Sequence, residues 1–235
     1  MSTASNHCSL TRPVSMKERR GKTQMLISFL RFALPLVALA SQSFAATTTN
    51  ETDGAWLASF YDGLQVEQHW LAGHKIHWMS GEAISNKKGA THCSAFVAAA
   101  CMKLGIYLLR PPDHPQDLLA NAQMGWLREH GGAHGWRPVA TPAEAQALAN
   151  SGIIVVAVYE NPDPKKPGHI ALVRPCVKSA VDLDTNGPQV IQAGGHNHNS
   201  CSLREGFRQH NKAWHNSHDF QVRFYSNRNT TAQPR

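Results

Sequence analysis

Residues 153–159 read Ile-Ile-Val-Val-Ala-Val-Tyr, a β-branched run with no polar break. A strand with one wet face alternates apolar and polar side chains. An unbroken run of this length therefore predicts a strand buried on both faces. Asn161–Gly168 follows as a turn built on three prolines. His169–Arg174 (HIALVR) is expected as a second strand. Val190–Ala193 (VIQA), after Asn186-Gly187-Pro188, is a third, and Phe220–Tyr225 (FQVRFY) a fourth.

Upstream of residue 153 the pattern is helical. Ala55–Trp70 carries Trp56, Leu57, Phe60, Leu64 and Trp70 at loose helical spacing. Cys93–Leu104 is Ala-rich and uncharged except for Lys103, which predicts a buried helix, with Thr91 ahead of it as a cap and Gly105 as its stop. Gln116–His130 places Leu118, Leu119, Ala122, Trp126 and Leu127 on one helical face. Thr141-Pro142-Ala143-Glu144 is a capped helix start running to about Asn150. Trp78–Ala90 is expected as a loop and Ile106–Leu109 as an extended segment. Helices first and antiparallel-type strands afterwards indicate an α+β fold.

The amino-terminal 45 residues follow the order of a secretory leader. Lys17, Arg19, Arg20 and Lys22 precede an apolar run to Ala40, and Ser43-Phe44-Ala45-Ala46 is a small-x-small cleavage pattern. The run is shorter than the roughly 20 residues of a spanning helix, so no stable membrane span is expected after cleavage. The expected organisation is a signal peptide at 1–45, a partly helical segment at 46–74, a folded domain at 75–226 and a disordered tail at 227–235. The chain's net charge is +7. Six of the 23 Lys+Arg and one of the 16 Asp+Glu fall in residues 1–45, leaving 17 against 15. The basic balance belongs mostly to the leader, and no nucleic-acid partner is expected.

Four cysteines follow the leader: Cys93, Cys101, Cys176 and Cys201. An oxidising compartment permits disulfides among them, in three full pairings. With Cys93 a free nucleophile, at most one bridge forms among the rest. Cys176–Cys201 is the expected pair, because both flank proposed strands.

Cys93 at the first turn of a buried helix faces the positive end of the backbone dipole. The free N–H groups there suit a thiolate and a developing oxyanion. His169 opens a strand after a Pro-Gly turn, which places an imidazole at a sheet end where it serves as a base. Gln192 lies on the next strand, where its amide oxygen would accept from the ring N–H and fix the tautomer. Cys101, two turns along the helix from Cys93, is expected in the core.

Thr-His-Cys-Ser-Ala-Phe-Val at 91–97, Pro-Gly-His-Ile-Ala-Leu-Val at 167–173 and Val-Ile-Gln-Ala at 190–193 resemble the papain-like cell-wall hydrolases, which include the NlpC-type endopeptidases and the CHAP amidases. The likeness covers about residues 75–195. It implies a papain-like fold and hydrolysis of peptidoglycan peptide amides by a periplasmic or secreted enzyme without a cofactor. It carries catalytic roles onto Cys93, His169 and Gln192. Two features depart from that pattern: His92 stands where the NlpC branch has Asp, and the nearest upstream tyrosine is Tyr61. His92, Trp78 and Asn197 are the candidates for the oxyanion site and cleft.

Two other readings stand beside the enzyme. His196, His198 and Cys201 are metal-ligand residue types in one short stretch, so a periplasmic metal-binding protein is an alternative, although their spacing matches no strong zinc pattern and no metal is expected. A catalytically inactive binding module on the same scaffold is the other.

Overall fold

The structure, a computed structural model, describes residues 51–229. In chain order it contains α1 (Glu51–Gly63), β1 (His74–Ile76), β2 (Ala83–Asn86), α2 (Cys93–Lys103), α3 (Leu119–Glu129), a 3-10 turn (Gly131–His134), β3 (Trp136–Val139) and α4 (Pro142–Asn150). There follow β4 (Ile154–Tyr159), β5 (His169–Val173), α5 (Ala180–Asn186), β6 (Gln189–Gln192), β7 (His198–Ser202), α6 (Leu203–Gly206), β8 (Trp214–Asn216), β9 (Asp219–Phe220) and β10 (Arg223–Asn227). The architecture is α+β. Six strands form one antiparallel sheet in the order β3-β10-β4-β5-β6-β7, and β1–β2 and β8–β9 form small two-stranded ribbons.

The apolar run at 153–159 becomes β4, buried at every position. Side chains alternate across a strand. Ile154, Val156 and Val158 accordingly join one core with Leu57, Tyr61, Phe96 and Val97, while Val155, Ala157 and Tyr159 join a second with Ala145, Leu203, Phe207 and Trp214. Each buried aliphatic side chain contributes about 1.5–3 kcal/mol over its exposed state. α2 is buried at all of Cys93–Cys101. Its four alanines let the helix lie close against β5 and β6, and an apolar perimeter is what a helix inside a domain requires.

The helices do not all precede the strands: α4, α5 and α6 are interleaved with them, and α4 and α6 help cover the second face. The start of α4 follows the expected box, with Thr141 Oγ1 accepting from Glu144 N at 3.1 Å and Glu144 Oε2 accepting from Ala140 N at 3.1 Å. The segment expected as a loop at 78–90 contains β2, paired with β1. The fourth expected strand is divided: Phe220 ends β9, and β10 begins at Arg223. β10 runs through Asn227, whose buried amide donates to His134 O at 2.9 Å, so ordered structure extends past residue 226. Cys201 is a free thiol, and the expected Cys176–Cys201 bridge is not formed. The leader and residues 230–235 lie outside the described residues. Among those described, no helix is long and apolar enough to cross a membrane.

Candidate active site

Antiparallel pairing brings the first residue of β5 and the last of β6 to the same end of the sheet. His169 and Gln192 occupy those two positions, and both are buried. α2 packs across these strands with Cys93 at its amino terminus. The structure thus brings Cys93, His169 and Gln192 to one region. Gly168 makes the entry to β5 geometrically feasible: a Cβ there would stand 2.3 Å from Tyr159 O and 2.4 Å from Asn121 Oδ1, so no larger residue fits ahead of His169.

His169 Nε2 donates to Gln192 Oε1. The Gln192 amide is itself oriented, because its Nε2 donates to His196 O at 3.1 Å. Oε1 can only accept, so the proton resides on Nε2 and Nδ1 carries the lone pair. The ring is held edge-on to Phe207 at 4.6 Å and stacked on His210 at 5.6 Å, and His210 leans in turn on Tyr159 at 5.2 Å. Burial and the neighbouring His210 lower His169 to about 4, against an upward pull from Gln192. The imidazole is neutral at physiological pH, as a proton acceptor must be.

The Cys93 sulfur is approached by the backbone N–H of Ile170, the residue after His169, and by the N–H groups of Ser94 and Cys93 itself. Burial raises the thiol above its ordinary value, and these donors together with the Ser94 hydroxyl offset part of that rise. At neutral pH both groups are therefore uncharged, the thiol protonated and the imidazole neutral. Among the described residues, the thiol makes no hydrogen bond to the ring. Cys101 lies in the core, where burial pushes it up to about 12.

Two depressions meet at Gly89, Thr91, Pro167 and Gly168; one contains Cys93, the other His169 and Gln192. Leu118 borders the Cys93 side with its backbone in the left-handed region at φ 54 and its side chain exposed.

The remaining sequence candidates lie as follows. His92 is the cap residue of α2, and its Nε2 bonds the His74 carbonyl at 2.8 Å, which ties the ring to β1 while it still borders the Cys93 depression. Trp78 packs half-buried on the core, and its carbonyl accepts from Trp70 Nε1 at 2.9 Å. Asn197 is a clamp: Oδ1 accepts from Gly194 N at 3.0 Å, and Nδ2 donates to Val66 O at 2.6 Å and His69 O at 2.8 Å. Tyr61 is buried beside Cys101 and Arg174, away from the Cys93 turn. His198 and Cys201 lie on β7 opposite Gln192 and Val190, and an irregularity in the pairing between them keeps both on one face of the sheet. Among the described residues no group of three His, Cys, Asp or Glu is placed to hold a metal ion.

Phe207 and His210 were not legible as site residues. They follow the four-residue α6 in a stretch without helical or strand periodicity. Comparison with protein-family models and with curated proteins returns no match.

Proposed function

We propose that this chain is a papain-like cysteine hydrolase, exported to the periplasm or beyond the cell, that cuts amide bonds in peptidoglycan peptides. The observation that supports it is the oriented imidazole. Gln192 fixes the His169 tautomer so that Nδ1 is free as an acceptor, and Cys93 stands at a helix start beside the next peptide unit. In this reading His169 Nδ1 takes the Cys93 proton as sulfur attacks the carbonyl carbon. The tetrahedral oxyanion is met by backbone N–H groups at the start of α2. Its collapse breaks the C–N bond, the imidazolium returns the proton to the departing amine, and a thioester remains on Cys93. Water, deprotonated by His169, then attacks the thioester, releasing a carboxylic acid and the free thiol.

The test is incubation of the protein with purified muropeptides and mass analysis of the products. Cleavage by the native chain, lost in Cys93→Ala and in His169→Ala with circular dichroism unchanged, supports the reading. Undiminished cleavage by Cys93→Ala overturns it.

One observation favours a second reading, a catalytically inactive binding module: the thiol is protonated and not hydrogen-bonded to the imidazole. Muropeptide binding without any product, equal in native chain and Cys93→Ala, would establish that alternative.

A further inference from the structure

The two sides of the cleft differ in charge. Lys75, Lys87, Lys88 and Lys165 line the depression that contains Cys93, and Asp117 is the single carboxylate among its lining residues. Asp117 is paired with Lys87 at 3.7 Å. Lys75, Lys88 and Lys165 have no ion-pair partner among the described residues. They come from three separate segments: β1, the connection after β2, and the proline turn before β5. On the His169 side, Arg208 is neutralised by Glu205 at 2.7 Å.

We propose that this lysine cluster makes the Cys93 side of the cleft select acyl groups that carry free carboxylates. The inference rests on the hydrolase reading for its orientation. His169 returns its proton to the departing amine, so the amine portion of the substrate extends along the His169 side and the acyl portion along the Cys93 side. Like charges converging on one concave surface reinforce each other, and carboxylates near the scissile bond neutralise them. The lysines are exposed, so their contribution falls as salt screens it. None of them belongs to the proton-transfer machinery, and each can be exchanged without opening the core.

The experiment compares the native chain with a Lys75→Gln, Lys88→Gln, Lys165→Gln variant in two assays. The first measures kcat/KM on muropeptides with free carboxylates against the same muropeptides with those groups converted to carboxamides. The native chain is expected to favour the free acids by about tenfold at low salt and to lose most of that preference near 1 M salt, where the Debye length is about 3 Å. The variant is expected to show a ratio near one. The second assay measures Cys93 alkylation by iodoacetate against iodoacetamide, read by peptide mass analysis, and needs no turnover. The anionic reagent should gain in the native chain relative to free cysteine, and the gain should vanish in the variant.

Equal ratios for native chain and variant in both assays overturn the proposal, and cleavage of both muropeptide sets in that case leaves the hydrolase reading standing. A lysine-dependent alkylation ratio with no cleavage of any muropeptide supports charge selection and removes the hydrolase reading.

Discussion

Gln192 Oε1 accepts the Nε2 proton of His169, and the amide making that contact is held in place by the His196 carbonyl. One side-chain amide thus determines which imidazole nitrogen carries the proton. Replacing Gln192 with Ala removes the acceptor and lets the ring change tautomer. We expect kcat to fall by about 10- to 100-fold with little change in KM. The nitrogen-15 shifts of the His169 ring should move from a single Nε2–H form to a mixture. An unchanged kcat and an unchanged tautomer would contradict this assignment.

His210 is stacked on His169, and its influence on the ring is to lower it. His210→Phe keeps an aromatic face and removes the titrating group. The His169 value should rise from about 4, though burial keeps it below 6.5, and the acid limb of kcat/KM should move to higher pH in step. Imidazole proton shifts followed through a pH titration provide the check. No upward movement would dismiss the electrostatic contact.

The same shift governs acid stability. His169 has a folded value of about 4 against an ordinary 6.5. Between those values the unfolded chain binds a proton that the folded chain excludes. Stability is therefore complete above about 6.5 and is lost as pH falls towards 4, by about 3 kcal/mol from this residue alone. His210, His92 and His198 are lowered as well and act in the same direction. Urea midpoints should fall steadily from pH 7 to pH 4.5, and a flat profile would refute the buried neutral imidazole.

Asn197 joins the loop after β6 to the backbone at residues 66 and 69, far away in sequence. Asn197→Ala leaves those carbonyls and Gly194 N–H without their partner. We expect a loss of about 1–3 kcal/mol in denaturant unfolding. A change within error would place those groups in contact with solvent instead.

Burial raises the Cys93 thiol above its ordinary 9.0. Its alkylation by iodoacetamide should increase with a midpoint above pH 9. A midpoint below pH 7 would show a resting thiolate instead of a protonated thiol.

The sequence carried the central strands and the helix that begins at Cys93 because both are buried all round. Unbroken apolar runs such as 95–101 and 154–159 leave little choice of structure. The peripheral elements were harder to find. β3 contains Pro138 and lies at the sheet edge, where a missing N–H is tolerated, and β7 opens in a Gly/Asn/His stretch that resembles a turn. Cys93, His169 and Gln192 were candidates from residue type at element ends, and the structure brings the three to one region. Their surroundings were not legible: Phe207 and His210 reach the imidazole only through the path of the chain after α6. Asn197 had the right neighbourhood and a different task, since its amide is spent on backbone carbonyls. Cys176 follows β5 and Cys201 lies within β7, and their nearness to strands did not imply pairing.

The proposed mechanism places a covalent acyl intermediate on Cys93. It is tested most directly by acid-quenching the protein during muropeptide turnover and measuring its intact mass, followed by peptide mapping. An acyl adduct on Cys93 is expected in the native chain, with no adduct and no product from Cys93→Ala. Product formation by Cys93→Ala, or an adduct mapped to another residue, would contradict it.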